Sequence, residues 1–252
     1  MTVSKGSNKL PLFEPGHIRS VILPHASIPD RRYPFNIPAI RSMGELKLHP
    51  RVTFLVGENG SGKSTLIEAI AVLIGLNAEG GSRNHSFATR STESRLHNYL
   101  QVKRGPDRER DGFFLRAESL YNVVTNLEET MVGFGWYGGE TLHHKSHGES
   151  FLAIAKHRFR GKGFYIMDEP ESALSPRRQL QMLQLIHEHV VSRNSQFLIA
   201  THSPILMAYP DATIYQLDIN GIEPIAYEDT EHFKTTRDFV CNPEVFLHHL
   251  MG

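Results

Sequence analysis

At 252 residues the chain can bury a sizeable core, and its 27 Lys/Arg balance 27 Asp/Glu, which argues against a dedicated nucleic-acid coat or a strongly acidic partner. The longest apolar run, residues 69–76, is too short to span a bilayer. A single cysteine, Cys241, leaves no internal disulfide, and without a charged-then-apolar leader the cytoplasm is the expected compartment. The balance conceals an asymmetry, with 17 Lys/Arg against 10 Asp/Glu up to Arg116 and 10 against 17 after it.

Residues 1–16 are polar, broken by Pro11, Pro15 and Gly16, and read as a loosely docked arm. Residues 18–23 read as a strand stopped by Pro24, and Pro29, Pro34 and Pro38 keep the chain extended until a second short strand over 43–48. Arg31 and Arg32 precede Tyr33 and Phe35, aromatics that either pack on an edge strand or stack on a base. Residues 52–56 form a buried-strand pattern running into Gly57, Glu58, Asn59, Gly60, Ser61, Gly62, Lys63, Ser64 and Thr65. The G-x-x-x-x-G-K-[ST] spacing between strand and apolar helix is a phosphate-binding loop. Its glycines turn the backbone amides inward and the following helix adds its positive end, so main chain holds most of a polyphosphate. Lys63 reaches the β- and γ-phosphates, and the Ser64 hydroxyl ligates Mg²⁺.

Residues 65–76 are apolar almost all round, as in a helix covered on both sides. The stretch 83–112 is basic and polar, and a strand resumes over 112–118. Helical spacing follows over 119–131, then a glycine-rich loop with Trp136 and Tyr137. Residues 163–167 have the continuous apolar run of a buried parallel strand and deliver Asp168 and Glu169 at its C-terminal end, where open α/β sheets bind ligands. Strand alternation should point the two carboxylates apart, Asp168 toward Mg²⁺ and Glu169 toward an attacking water as general base. Ser175 and Pro176 open a helix with Leu180, Leu183, Ile186 and Val190 on its apolar face. Another buried strand, 196–200, delivers His202 to hydrogen-bond a γ-phosphate. Segments 214–219 and 222–227, joined at Asn220 and Gly221, read as a hairpin, and two short helices close the chain. Fifteen histidines lack zinc-site spacing; the pairs His143/His144 and His248/His249 fall in loop and terminal positions.

Over residues 50–216 the order of motifs resembles that of ATP-binding-cassette ATPases. The resemblance implies one domain over 1–252, a three-layer α/β P-loop fold with a mainly parallel sheet, a β-rich N-terminal edge and a short helical insertion around 80–160. It also implies ATP and Mg²⁺ held between the subunits of a homodimer. Ser146, His147, Gly148 and Glu149 stand where the family has its signature element, which binds the γ-phosphate held by the opposite subunit. His147 and Glu149 depart from the usual Leu-Ser-Gly-Gly-Gln. Residues 172–175 match the subunit-contact loop, with Ser175 where aspartate is usual, and no glutamine follows the strand near Leu115, which leaves Arg116 or Glu118 as stand-in.

Segments 113–121, 146–151 and 200–206 are similar to small bacterial stand-alone ATPases allied to the RecF, SMC and Rad50 branch. That similarity, with the basic first half, implies ATP hydrolysis in DNA repair or genome maintenance, DNA being met by Arg83, Arg90, Arg95, Lys103, Arg104, Arg108 and Arg110. A regulatory or defence module gating a partner protein, and the motor subunit of a transporter without membrane insertion of its own, are the alternatives.

Overall fold

Beyond residue 50 the apolar runs and the helical patterns interleave, and the chain lays them down as a mainly parallel sheet with helices on both faces. The computed structural model describes residues 16–28, 32–82, 94–118 and 147–251. The strands are β1 (Ile18–Ile22), β2 (Glu45–Lys47), β3 (Val52–Val56), β4 (Gln101–Arg104), β5 (Asp111–Arg116), β6 (Gly163–Asp168), β7 (Gln196–Ala200), β8 (Thr213–Asp218) and β9 (Gly221–Pro224). The helices used below are α1 (Pro38–Ser42), α2 (Lys63–Leu73), α3 (His147–Arg158), α4 (Pro176–Arg193), α5 (Pro204–Met207), α6 (Glu231–Cys241) and α7 (Pro243–Met251).

The large sheet runs β5-β6-β7-β3-β8-β9, parallel except for the β8–β9 hairpin at its edge. Because successive strand side chains point to opposite faces, each buried strand feeds two cores. Phe54, Phe113, Tyr165 and Phe197 meet α3 and α4 on one face; Leu55, Phe114, Ile166 and Leu198 meet α2 and the small antiparallel sheet β2-β1-β4 on the other. This is the expected three-layer arrangement with a β-rich N-terminal edge. Each fully buried aliphatic or aromatic side chain contributes about 1.5–3 kcal/mol of transfer free energy.

Several elements differ from the sequence reading for local reasons. Helix α2 starts at Lys63, because Gly62 takes the left-handed conformation as its N-cap, and stops before Gly75, whose φ is 87°. Within the basic, polar stretch 83–112, residues 101–104 form β4: Gln101 and Lys103 face solvent while Val102 packs against the core. On α4 Leu180 is 58% exposed and Gln179 is buried instead. The Gln179 amide donates to the Leu174 carbonyl at 3.0 Å and its side-chain oxygen accepts from the Ser203 hydroxyl, so a polar residue holds the inward position. The helical spacing over 119–131, the glycine-rich aromatic loop and His143/His144 lie outside the described residues.

Candidate functional site

Strands β6, β7 and β3 are neighbours in the sheet, so their C-terminal ends bring three loops to one place. The loop after β3 has left-handed or otherwise positive φ at Gly57 (143°), Gly60 (81°) and Gly62 (101°). A Cβ on Gly57 would lie 2.2 Å from the Leu217 carbonyl oxygen and one on Gly62 2.9 Å from Ile37, so packing as well as backbone demands glycine there. A Cβ on Gly60 would meet nothing within 4 Å. Glu58, Asn59 and Gly60 are exposed. Lys63 is buried at the N-terminus of α2, donating to the carbonyls of Gly57 (2.7 Å) and Glu58 (3.0 Å). Burial pushes its pKa down, against the carboxylates of Glu169, Asp168, Glu171 and Glu58. The Ser61 hydroxyl oxygen is buried with no hydrogen-bond partner among the described residues, which suits a phosphate oxygen.

The Ser64 hydroxyl donates to Asp168 Oδ1 at 3.2 Å, joining the loop to the end of β6. Asp168 is 4% exposed, and burial pushes its pKa up to about 6 although the Arg116 guanidinium pulls the other way. A hydroxyl and a desolvated carboxylate side by side fit a small divalent cation, so Ser64 and Asp168 are the residues that would hold Mg²⁺. Arg116 Nε stands 3.4 Å from Asp168 Oδ2, and Arg116 also donates to Glu68 at 3.0 Å. Glu118 is 81% exposed in its side chain and stands 3.8 Å from the far edge of Arg116. Of the two stand-ins left open by the sequence, Arg116 meets Asp168 directly, and Glu118 acts on its charge from further away.

Glu169 does not continue the strand, so alternation does not orient it. Its backbone is left-handed (φ 47°, ψ 53°), which costs a non-glycine residue of order 1–3 kcal/mol. Its N–H donates to the Ala200 carbonyl at 2.9 Å and its carbonyl accepts from the Ser172 N–H at 3.0 Å, holding the turn. In that turn Glu169 Oε1 lies 3.5 Å from His202 Nε2. His202 follows β7, with its N–H donating to Glu171, whose other carboxylate oxygen accepts from the Thr201 hydroxyl at 2.8 Å. Glu171 thereby clamps the His202 loop to the Glu169 turn. His202 Nδ1 is 2.8 Å from Nε2 of His232 on α6.

Sequence reasoning missed Glu171 and His232 and left Arg116 undecided. A third carboxylate two residues past Glu169 was a usable signal; a lone histidine opening a late helix gave none. Thr65 Oγ1 is 3.1 Å from the hydroxyl of Tyr33, which is 60% exposed, whereas Phe35 is buried edge-on against Tyr99. Phe35 therefore packs inside, while the exposed Tyr33 ring lies at the rim with its hydroxyl on Thr65.

Ser146 and the His147 side chain lie outside the described residues. Gly148, in α3, sits where a Cβ would be 2.8 Å from the Ala173 carbonyl oxygen, and Glu149 accepts from Arg178 at 2.9 Å. Helix packing thus accounts for that glycine within the chain. His248 and His249 are exposed on α7, and no group of three or more His, Cys, Asp or Glu among the described residues is arranged for a metal ion. No helix among them is long and apolar enough to cross a membrane.

Two family profiles match the chain. One, described as "AAA domain", covers residues 36–127 and spans the phosphate loop; the other, "AAA domain, putative AbiEii toxin, Type IV TA system", covers 150–208 and spans Asp168, Glu169 and His202. The thiamine import ATP-binding protein ThiQ of Haemophilus influenzae is 27% identical over 168 residues, 60% of this chain and 75% of that protein. Among solved structures, the SMC head domain from Thermotoga maritima matches 72% of this chain and 93% of its own at 20% identity, with a TM-score of 0.42. The transporter component cbiO1 from Clostridium perfringens matches 83% and 94% at 19% identity, with a TM-score of 0.45.

Proposed function

The chain carries an AAA/ABC-type P-loop ATPase domain, and on that premise we propose that it binds MgATP and hydrolyses it to ADP and phosphate as an ATP-sandwiched homodimer in DNA repair or genome maintenance. One observation carries the hydrolase reading: Lys63, the Ser64–Asp168 pair, Glu169 and His202 converge at the ends of three adjacent strands. The loop amides and Lys63 take the β- and γ-phosphates, Lys63 exchanging its present carbonyl partners for phosphate oxygens. Between Ser64 and Asp168, Mg²⁺ would supply neutralising charge to the same oxygens. Glu169 accepts a proton from the water that attacks the γ-phosphorus, the bond to the bridging oxygen breaks, and ADP leaves with its electron pair. His202 donates to the γ-phosphate. The deciding experiment is Glu169→Gln, which should bind ATP normally and hydrolyse it about 100-fold more slowly. Hydrolysis at the wild-type rate would place the base elsewhere.

The dimer reading draws its support from the family resemblance of residues 146–150. Light scattering of Glu169→Gln should show dimer with ATP and monomer without, and Ser146→Arg should abolish the dimer. A dimer indifferent to both would remove it.

Of the cations proposed to meet DNA, Arg95, Arg108 and Arg110 are exposed. Lys103 pairs with Glu45 at 3.1 Å and Arg104 with the buried Glu109, while Arg83 and Arg90 lie outside the described residues. Further support comes from a cleft of about 300 Å³ where Arg110, Arg158 and Arg160 stand with the carboxylate of Asp111, and in which Arg158 lies over the Phe113 ring. Affinity for a labelled duplex should fall with salt at a slope of about −0.9 per phosphate contact, and Arg110→Ser with Arg158→Ser should flatten it. Absence of duplex binding at low salt with ATP would favour the ATP-gated regulatory or defence module, a second reading supported by the profile over 150–208.

A further inference from the structure

His202 is held from behind by a residue of the C-terminal segment. Helix α6 is capped by the Thr230 hydroxyl, which accepts from the Phe233 N–H, and this fixes His232 in the first turn. From there its ring lies 4.9 Å, centroid to centroid, from that of His202, with Nε2 against His202 Nδ1 at 2.8 Å. The remaining nitrogens, His202 Nε2 and His232 Nδ1, are buried without hydrogen-bond partners among the described residues. His202 Nε2 faces the Glu169 carboxylate at 3.5 Å.

Two neutral imidazoles in this arrangement share one proton, and its side decides what His202 can do. If His202 Nδ1–H donates to His232, then His202 Nε2 is a bare lone pair turned toward a carboxylate and, in the nucleotide complex, toward the γ-phosphate. If His232 Nε2–H donates to His202 Nδ1, then the proton of His202 sits on Nε2 and points at both anions. His232 Nδ1 lacks a partner in either case, so only the Glu169 end discriminates, and it selects the second. Doubly protonated His202 is opposed first by burial and then by the neighbouring charge of Lys63, against Glu169 and Glu58. As a neutral ring His202 has a single N–H, so its placement matters.

We propose that His232 is a positioning residue for hydrolysis: by donating from Nε2 to His202 Nδ1 it fixes the tautomer in which His202 presents Nε2–H to Glu169 and the γ-phosphate. This deepens the hydrolase reading and rests on it for the catalytic consequence; the proton's location does not depend on turnover.

The test joins a spectroscopic arm to a kinetic one. Long-range ¹H–¹⁵N correlation of histidine-labelled protein without nucleotide at pH 7.5, with the ring assigned by comparison with His202→Gln, should show His202 protonated at Nε2 and hydrogen-bonded as acceptor at Nδ1. His232→Gln retains an N–H donor and should keep that pattern and near wild-type kcat. His232→Leu removes the donor and should leave His202 exchanging between its two tautomers, with averaged Nδ1 and Nε2 resonances, kcat lower by about tenfold or more and ATP affinity within twofold. Wild-type His202 protonated at Nδ1 or at both nitrogens would overturn the proposal, as would a Leu variant as active as the Gln variant. A protein that hydrolyses no ATP yet shows the Nε2–H tautomer, lost only in the Leu variant, would refute the hydrolase reading and leave the proton placement standing.

Discussion

Asp168→Asn in the metal-free protein tests whether the Mg²⁺ position is a strained, desolvated carboxylate. Burial lifts the Asp168 pKa from its ordinary 3.8 to about 6. Each unit is 1.36 kcal/mol, so roughly two units put the cost of the ionised carboxylate at about 3 kcal/mol. Because the folded pKa is raised, the native state keeps a proton that the unfolded chain has released between pH 3.8 and 6. Stability therefore falls as pH rises through that window, and the cost is complete above it. Asparagine has the same shape and no such titration. Urea unfolding in EDTA at steps from pH 4 to 7.5 should show Asn gaining on wild type by about 3 kcal/mol across the window. Adding Mg²⁺ at neutral pH should restore the wild type alone, by about 2.7 kcal/mol at a hundred times the dissociation constant. A stability difference between the two proteins that is flat from pH 4 to 7 would refute the desolvation argument.

Lys63→Ala removes the ammonium proposed to compensate the β- and γ-phosphates, so ATP affinity should fall by about 100-fold, the scale of a lost charged hydrogen bond of about 3 kcal/mol, with a thermal unfolding midpoint near wild type; calorimetric titration and melting read both. Tyr33→Ala removes the exposed ring at the loop's rim and should weaken ATP by about fivefold while leaving tripolyphosphate unchanged in the same titration. Arg116→Gln removes the charge that holds the Asp168 pKa down, so the acid limb of the Mg²⁺-dependent ATPase profile should move to higher pH; an unmoved limb would mean that Arg116 serves Glu68 alone.

The parts of the site legible in the sequence are those whose geometry is set by neighbours in the chain. A phosphate loop announces itself because its amides are aimed by its own glycines, and β6 and β7 because residues 163–168 and 196–200 are apolar throughout. Even so, the sequence pattern turned Glu169 by the wrong device. Strand alternation is local, but the left-handed backbone that orients Glu169 is held by its N–H donating to Ala200 and its carbonyl accepting from Ser172. The same limit hid β4, whose outward Gln101 and Lys103 look like loop until β1 lies beside them, and it hid the inward turn of Gln179, which depends on Leu174 and Ser203.

Arg116 and His232 mark the boundary more sharply. Arg116 reaches Asp168 only because β5 and β6 pair in register at those two residues. His232 reaches His202 across 30 residues, after a hairpin edge has turned the chain back over α5. Neither residue type is unusual in its own segment, so no motif could carry the signal. Their chemistry resides in which strand lies next to which, and that is why the groups adjusting the charge and the proton of the site come to light only with the fold.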